Sequence, residues 1–201
     1  CDLCSKSTVS IYSTDKPFKV FCPPCWWSDG WDAKQYEKDF DFSRPFFEQF
    51  RELQLKAPRI ALLTKNSTNS EYTNHAGENK DTYLSFATFG SENIVHSSNI
   101  WARSRDCVDC TMITDLGSLC YECIDCEKIN QSQYCLQVYE ATDCFYSFDL
   151  RNCSNCFMSY NLRNQNYCIR NIKYSKEEYQ KEISKYNLKS HKVRQELYAE
   201  W

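Results

Sequence analysis

The chain of 201 residues carries 14 cysteines, a formal net charge of −3 and a pI near 5.7. That length supports a hydrophobic core without disulfide staples, no apolar run approaches the roughly eighteen residues of a membrane span, and the acidic balance gives no general electrostatic attraction to nucleic acid. The spacing of the cysteines reads as metal ligands and buried thiols in a reducing, cytoplasmic compartment, in preference to a secreted disulfide framework.

Residues 1–35 form a cysteine and tryptophan cluster. Cys1, Cys4, Cys22 and Cys25 are spaced C-x2-C-x17-C-x2-C, so two turns each offer a pair of thiolates. Four thiolates complete a tetrahedral shell for Zn²⁺, and a closed shell leaves no position for a reacting water. The expected domain is a zinc knuckle or ribbon, with zinc in a structural role. Trp26, Trp27 and Trp31 either pack around this small site or present a stacking platform, and packing is favoured by the area a tryptophan buries.

Residues 36–81 read as a helical connector followed by a loop. Ser43 is placed to cap a helix, Pro45 lies in its first turn, and Phe46, Phe50 and Leu53 share one helical face. Pro58 closes that helix, residues 60–63 read as a short strand, and the Asn, Ser and Thr-rich run over 64–81 reads as a mobile loop.

Residues 82–170 are short runs of Tyr, Phe, Ile, Val and Cys broken by Ser, Asn and Asp. Cys126, Cys135, Cys144 and Cys153 recur every nine residues. A fixed short period marks a solenoid, here a short parallel β-solenoid with a cysteine-lined interior. The nine-residue register predicts coils of eighteen residues with these four cysteines stacked in one reduced, buried column. Residues 83–101 fit that register poorly and predict imperfect first coils. Cys107, Cys110, Cys120 and Cys123, spaced C-x2-C-x9-C-x2-C, have two readings: a second zinc site, or members of the thiol columns.

Residues 171–201 predict a helical cover over an end or side of the solenoid. Ser175 and Glu178 form a capping box, Tyr174 and Tyr179 a hydrophobic staple, and Tyr179, Ile183 and Tyr186 a helical stripe. Val193, Leu197 and Trp201 suggest a second helix. From Arg170 onward eight Lys or Arg stand against five Glu, and Lys181, Lys185 and Lys189 are candidate contacts for phosphate, although a solvated helix face explains them as well.

The histidines His75, His96 and His191 are scattered, and no nucleophile with an oriented base can be read from the sequence. The paired cysteine turns, the run from Trp26 to Asp32, the run from Asp39 to Phe47, the cysteine-rich repeats and the Asn161 to Asn164 segment together resemble a family of uncharacterised zinc-ribbon proteins predicted from uncultivated bacterial genomes. The resemblance spans most of the chain and implies the architecture, not an activity. The expected fold is mainly β with helices at both ends of the solenoid. The expected function is a non-catalytic, zinc-stabilised interaction or assembly protein, contacting a protein partner or a larger particle through Trp26, Trp27, Trp31 and a solenoid face. The alternative is an accessory protein for nucleic acid or a ribonucleoprotein, using the knuckle and the basic C-terminal helices. Neither reading involves a membrane.

Overall fold

The computed structural model describes residues 1–101, 103–114, 117–127 and 129–201. The chain divides into two compact units, Cys1–Lys65 and Asn66–Trp201. In the first unit, β1 (Val20–Phe21) pairs in parallel with β2 (Arg59–Ile60), between them lie α1 (Pro23–Trp26), a 3-10 turn at Ala33–Tyr36 and α2 (Phe46–Lys56), and β3 (Thr64–Lys65) follows. Val20, Phe21 and Ala61 are buried here.

The second unit is a β-solenoid of about eight turns, built from strands β4 (Asn74–Gly77) to β17 (Ile172–Lys173) and followed by α3 (Lys176–Ile183) and α4 (His191–Glu200). Successive coils pair in parallel, and only the last turn, from β16 (Asn166–Ile169) into β17, folds back antiparallel. The coil is set by triplets. Within each triplet one residue faces outward in a β ladder, the next takes positive φ, and the third points inward. Tyr121, Glu122 (φ 47°) and Cys123 show the order, and positive φ then recurs at Asp125, Gln131, Tyr134, Gln137, Glu140 and Asp143. Four triplets close one coil. The register steps are accordingly twelve residues, as in Cys123↔Cys135, Cys144↔Cys156 and Cys156↔Cys168.

The eighteen-residue coil is therefore corrected to twelve. Nine residues are three triplets, so Cys126, Cys135, Cys144 and Cys153 step round the four corners of the coil instead of stacking. All four are buried and unbridged, as expected, but their columns differ: Cys126 lies over Val138, Cys135 over Ser147, Cys144 over Cys156, and Cys153 follows Ala141. The triplet register also brings residues 83–101 into regular coils. The steps Ile94↔Cys107 and Cys107↔Cys120 are thirteen residues, because one extra residue separates the buried Ile100 from Ser104 and Ile113 from Gly117. Regular structure begins earlier than the sequence suggested, since β4 and β5 (Lys80–Tyr83) occupy part of the span read as a loop.

The interior is one contiguous core containing all ten cysteines from Cys107 to Cys168 with Ile94, Ile100, Ile113, Ile129, Val138, Ala141 and Leu150. The helices cover a side of the solenoid. Leu197 of α4 and Tyr179 of α3 pack on a second cluster formed by the outward Tyr134, Tyr146, Phe157, Met158 and Ile169. The α3 start is the expected capping box: Ser175 accepts from Glu178 N–H at 3.2 Å and Glu178 accepts from Ser175 N–H at 2.9 Å.

Two stability measurements check this reading. Asn161 holds φ 55° on an exposed corner, a conformation that costs a β-branched residue about 1–2 kcal/mol; Asn161→Val is expected to lower urea stability by that amount, while Asn161→Gly changes it little. The Tyr146 hydroxyl is buried with no hydrogen-bond partner among the described residues, so Tyr146→Phe is expected to raise stability by about 1 kcal/mol.

Candidate metal centre

The first unit brings the two C-x-x-C turns together. The Sγ atoms of Cys1, Cys4, Cys22 and Cys25 all lie within 4.8 Å of one another, a grouping that could hold a metal ion. Cys22 ends the short pairing of β1 and caps α1, where Pro23 occupies the first helical position without losing a donor. The turn then delivers Cys25 one step before Trp26. Cys1 and Cys4 are placed by the other end of the unit: Asp2 N–H donates to the Val20 carbonyl at 2.8 Å, and the Asp2 carboxylate accepts from Val20 N–H at 2.6 Å. That pair of bonds locks the first turn against β1.

The sulfurs behave as ligands in waiting. Cys22 N–H donates to Cys1 Sγ at 3.2 Å, and Cys4 Sγ is 3.9 Å from Cys22 Sγ. Donation from the Lys6 backbone N–H holds the Cys4 thiol below the usual thiol range, whereas the adjoining Cys4 and Cys22 thiols push Cys25 up to about 11. Crowded thiols resist ionising together, and a cation among them removes that conflict. Four sulfur donors, with no His, Asp or Glu grouped with them among the described residues, fit a closed structural site.

The tryptophans separate into two roles. Trp31 packs against Trp26 with centroids 4.7 Å apart and against Phe21 at 5.5 Å, and its indole N–H donates to the Trp26 carbonyl at 3.0 Å. Trp27 instead remains half-exposed beside Lys65, whose ammonium lies 4.9 Å from its ring, and donates to the Thr64 carbonyl at 2.6 Å.

The other candidates lie elsewhere. Cys107 stacks on Cys120 in one inward column, and Cys110 and Cys123 occupy the adjacent one, all four fully buried. Among the described residues, only the N-terminal cysteines bring three or more ligating atoms within 4.8 Å of one another. Lys185 pairs with Glu182 at 2.5 Å. His75 packs on Phe86 and His96 lies 3.5 Å from Asp109, so the histidines are not gathered into one group.

Sequence reasoning placed Phe46, Phe50 and Leu53 on one apolar face but missed that this face is uncovered. Phe42 is 92% and Phe47 81% exposed, and Phe40, Phe46 and Phe50 are also exposed, with Phe46 and Phe50 stacked 5.6 Å apart. The one buried residue of α2 is Gln49, whose amide bonds Asp41 and Arg44 and pins the preceding loop to the helix. Comparison with protein-family models, curated proteins and solved structures found no match.

Cys22→Ser, or removal of the metal by a chelator, is expected to collapse the packing of Trp31 on Trp26 and Phe21, because the binding energy of a structural metal is folding energy. Loss of near-ultraviolet circular dichroism and of bound metal together would report it. Acid should release the metal, since the ligand form is the thiolate and falling pH returns the proton.

Proposed function

We propose that the protein is a non-catalytic docking or assembly component whose first unit is stabilised by zinc held by Cys1, Cys4, Cys22 and Cys25. Zinc is favoured by the donor set: four sulfurs in paired turns suit a tetrahedral d¹⁰ ion with no redox role. The observation that carries the docking role is the aromatic patch of Phe46, Phe47 and Phe50 on α2 with Phe40 and Phe42 of the preceding segment, all exposed while the buried side chain of α2 is a glutamine. Large contiguous apolar surface of this kind marks an interaction site. Trp27 and the outward ladder of Ile124, Phe148 and Tyr160 on the solenoid supply further exposed apolar surface.

Chemistry of its own would need an accessible nucleophile, and the solenoid thiols do not provide one. Burial pushes Cys135 and Cys168 above the ordinary thiol range, so the reactive thiolate is suppressed. With its thiols free, the chain suits a reducing compartment. No described helix is long and apolar enough to cross a membrane.

A protein partner is favoured over nucleic acid because the C-terminal basic residues are partly neutralised within the helices. Arg170 forms a bidentate pair with Glu200, and Lys192 lies near Glu196. The test is affinity co-purification with three variants. Phe42→Ser/Phe47→Ser is expected to lower partner recovery at least tenfold with the fold unchanged. Charge reversal at Lys181, Lys185 and Lys189 should leave recovery intact and nearly independent of salt. A steep, salt-dependent fall in binding to RNA or DNA on charge reversal would instead establish the nucleic-acid reading.

A further inference from the structure

The triplet coil arranges several of the ten solenoid cysteines at one fixed spacing. Cys107 over Cys120 and Cys123 over Cys135 are registered neighbours on successive coils. Cys110 precedes Cys123 in the same column, since Thr111 pairs with Ile124. The two columns are adjacent, since Cys107 and Cys110, like Cys120 and Cys123, are the inward residues of consecutive triplets. The result is a continuous thiol lattice, two columns wide, with every member at 2% exposure or less.

We propose that Cys107, Cys110, Cys120, Cys123 and Cys135 form a binding lattice for a soft monovalent d¹⁰ ion, Cu(I) or Ag(I), each ion held between two sulfurs of adjacent coils. Neighbouring strands in a sheet lie about 4.7–4.9 Å apart, close to twice a metal–sulfur bond of roughly 2.3 Å. Two sulfurs at that separation suit a linear ion placed midway. They do not suit zinc, which wants four donors around one point, because side chains stacked in one column leave it in the same direction and, among the described residues, no three of these sulfurs lie within 4.8 Å of one another. Soft sulfur donors select Cu(I).

Charge balance also favours the monovalent ion. A pair of thiols takes up M⁺, one S–H bond breaks, two M–S contacts form, and one proton leaves to solvent. The product, one thiolate and one thiol on M⁺, is neutral and so avoids the cost of an isolated charge in the interior. No electron moves. Entry requires transient opening of a coil, so uptake should be slow and should follow the opening rate.

The sequence supplies its own control. Serine already occupies inward positions at Ser97, Ser132 and Ser147, where its hydroxyl donates to the carbonyl two residues earlier as the cysteine thiols do. A variant with all five cysteines replaced by serine is therefore expected to fold. Zinc-loaded full-length protein would be titrated anaerobically with Cu(I) delivered from a weaker chelator, measuring bound copper, retained zinc, proton release and sulfur coordination by X-ray absorption. The expected result is two-coordinate copper, one proton released per ion, zinc retained, and at least one copper equivalent lost in the five-serine variant. Equal copper in both proteins, or copper bound only as zinc is displaced, would overturn the proposal. Should the five-serine variant fail to fold, Cys4→Ser/Cys22→Ser decides: copper uptake persisting without the N-terminal cluster supports the interior lattice, and its loss refutes it.

Discussion

The inward N–H of each triplet is the constraint on which the solenoid depends. Outward residues donate to the inward carbonyl of the next coil, as Phe86 does to Ser97, and the positive-φ residues donate to the outward carbonyl of the previous coil, as Met158 does to Phe145. The inward N–H can reach a backbone carbonyl of the previous coil, as Thr82 does to Asn69 at 3.2 Å, and its burial makes that partner matter, because a buried donor left unpaired costs about 1–3 kcal/mol. Side chains of the preceding coil accept from the inward N–H as well: Ser97 N–H reaches Ser85 Oγ, Cys110 N–H reaches Ser97 Oγ, Cys144 N–H reaches Ser132 Oγ and Ser91 N–H reaches Asn79 Oδ1. The same hydroxyl then donates to the carbonyl two residues back, as Ser147 does to Phe145 at 3.0 Å, so that one small side chain ties two backbone groups, the Phe145 carbonyl and the Ser159 N–H. Cysteine performs both tasks more weakly but adds apolar bulk. Alternation of Ser and Cys in the inward columns is thus a compromise between satisfying the backbone and filling the core.

This compromise explains how much of the fold the sequence disclosed. The cysteine spacing correctly indicated a β-solenoid with buried thiols but not the length of its coil, because any multiple of three residues returns to an inward position. The closure of the coil was hidden by interchange within a column. Ser132 stands between Cys120 and Cys144, and Ser147 follows Cys135, so the true twelve-residue period is broken wherever serine replaces cysteine, while the nine-residue run from Cys126 to Cys153 happens to be unbroken. The twelve-residue signal was present in Cys144, Cys156 and Cys168. Positive φ gave a second clue, since Asn, Asp and His are enriched at these corners, but Tyr134, Leu119, Met158 and Glu140 adopt it too and blur the pattern.

The metal centre was legible for a different reason. Its geometry is local: each C-x-x-C turn fixes two sulfurs almost independently of the rest of the chain, and only the meeting of the two turns needed the structure. The α2 face was legible as a stripe but not as a surface. Periodicity shows that Phe46, Phe50 and Leu53 lie together, whereas burial depends on whether another element arrives to cover them, and nothing local to α2 encodes that arrival.

The cover on the solenoid makes the complementary case. Here the corner column is itself aromatic, with Tyr134 stacked on Tyr146 at 4.6 Å and Tyr146 meeting Phe157 of the adjoining ladder edge-on at 6.1 Å, so the side can be buried a second time from outside. The helices supply Tyr179 and Leu197, the segment between them supplies Tyr186, and Arg170 reaches from the last coil to both Tyr186 and Glu200. The coils beneath are held from both faces, by thiols within and aromatic rings without. Earlier on the same side the ladder carries Tyr83, Val95 and Val108, and the corner residues are Leu84, His96 and Asp109. Those corners lack the stacked tyrosines that anchor the helices, and Tyr83 and Leu84 are exposed. Aromatic content at one corner column therefore determines where the helical cover can attach, while the inward columns, indifferent to it, propagate the coil along the whole unit.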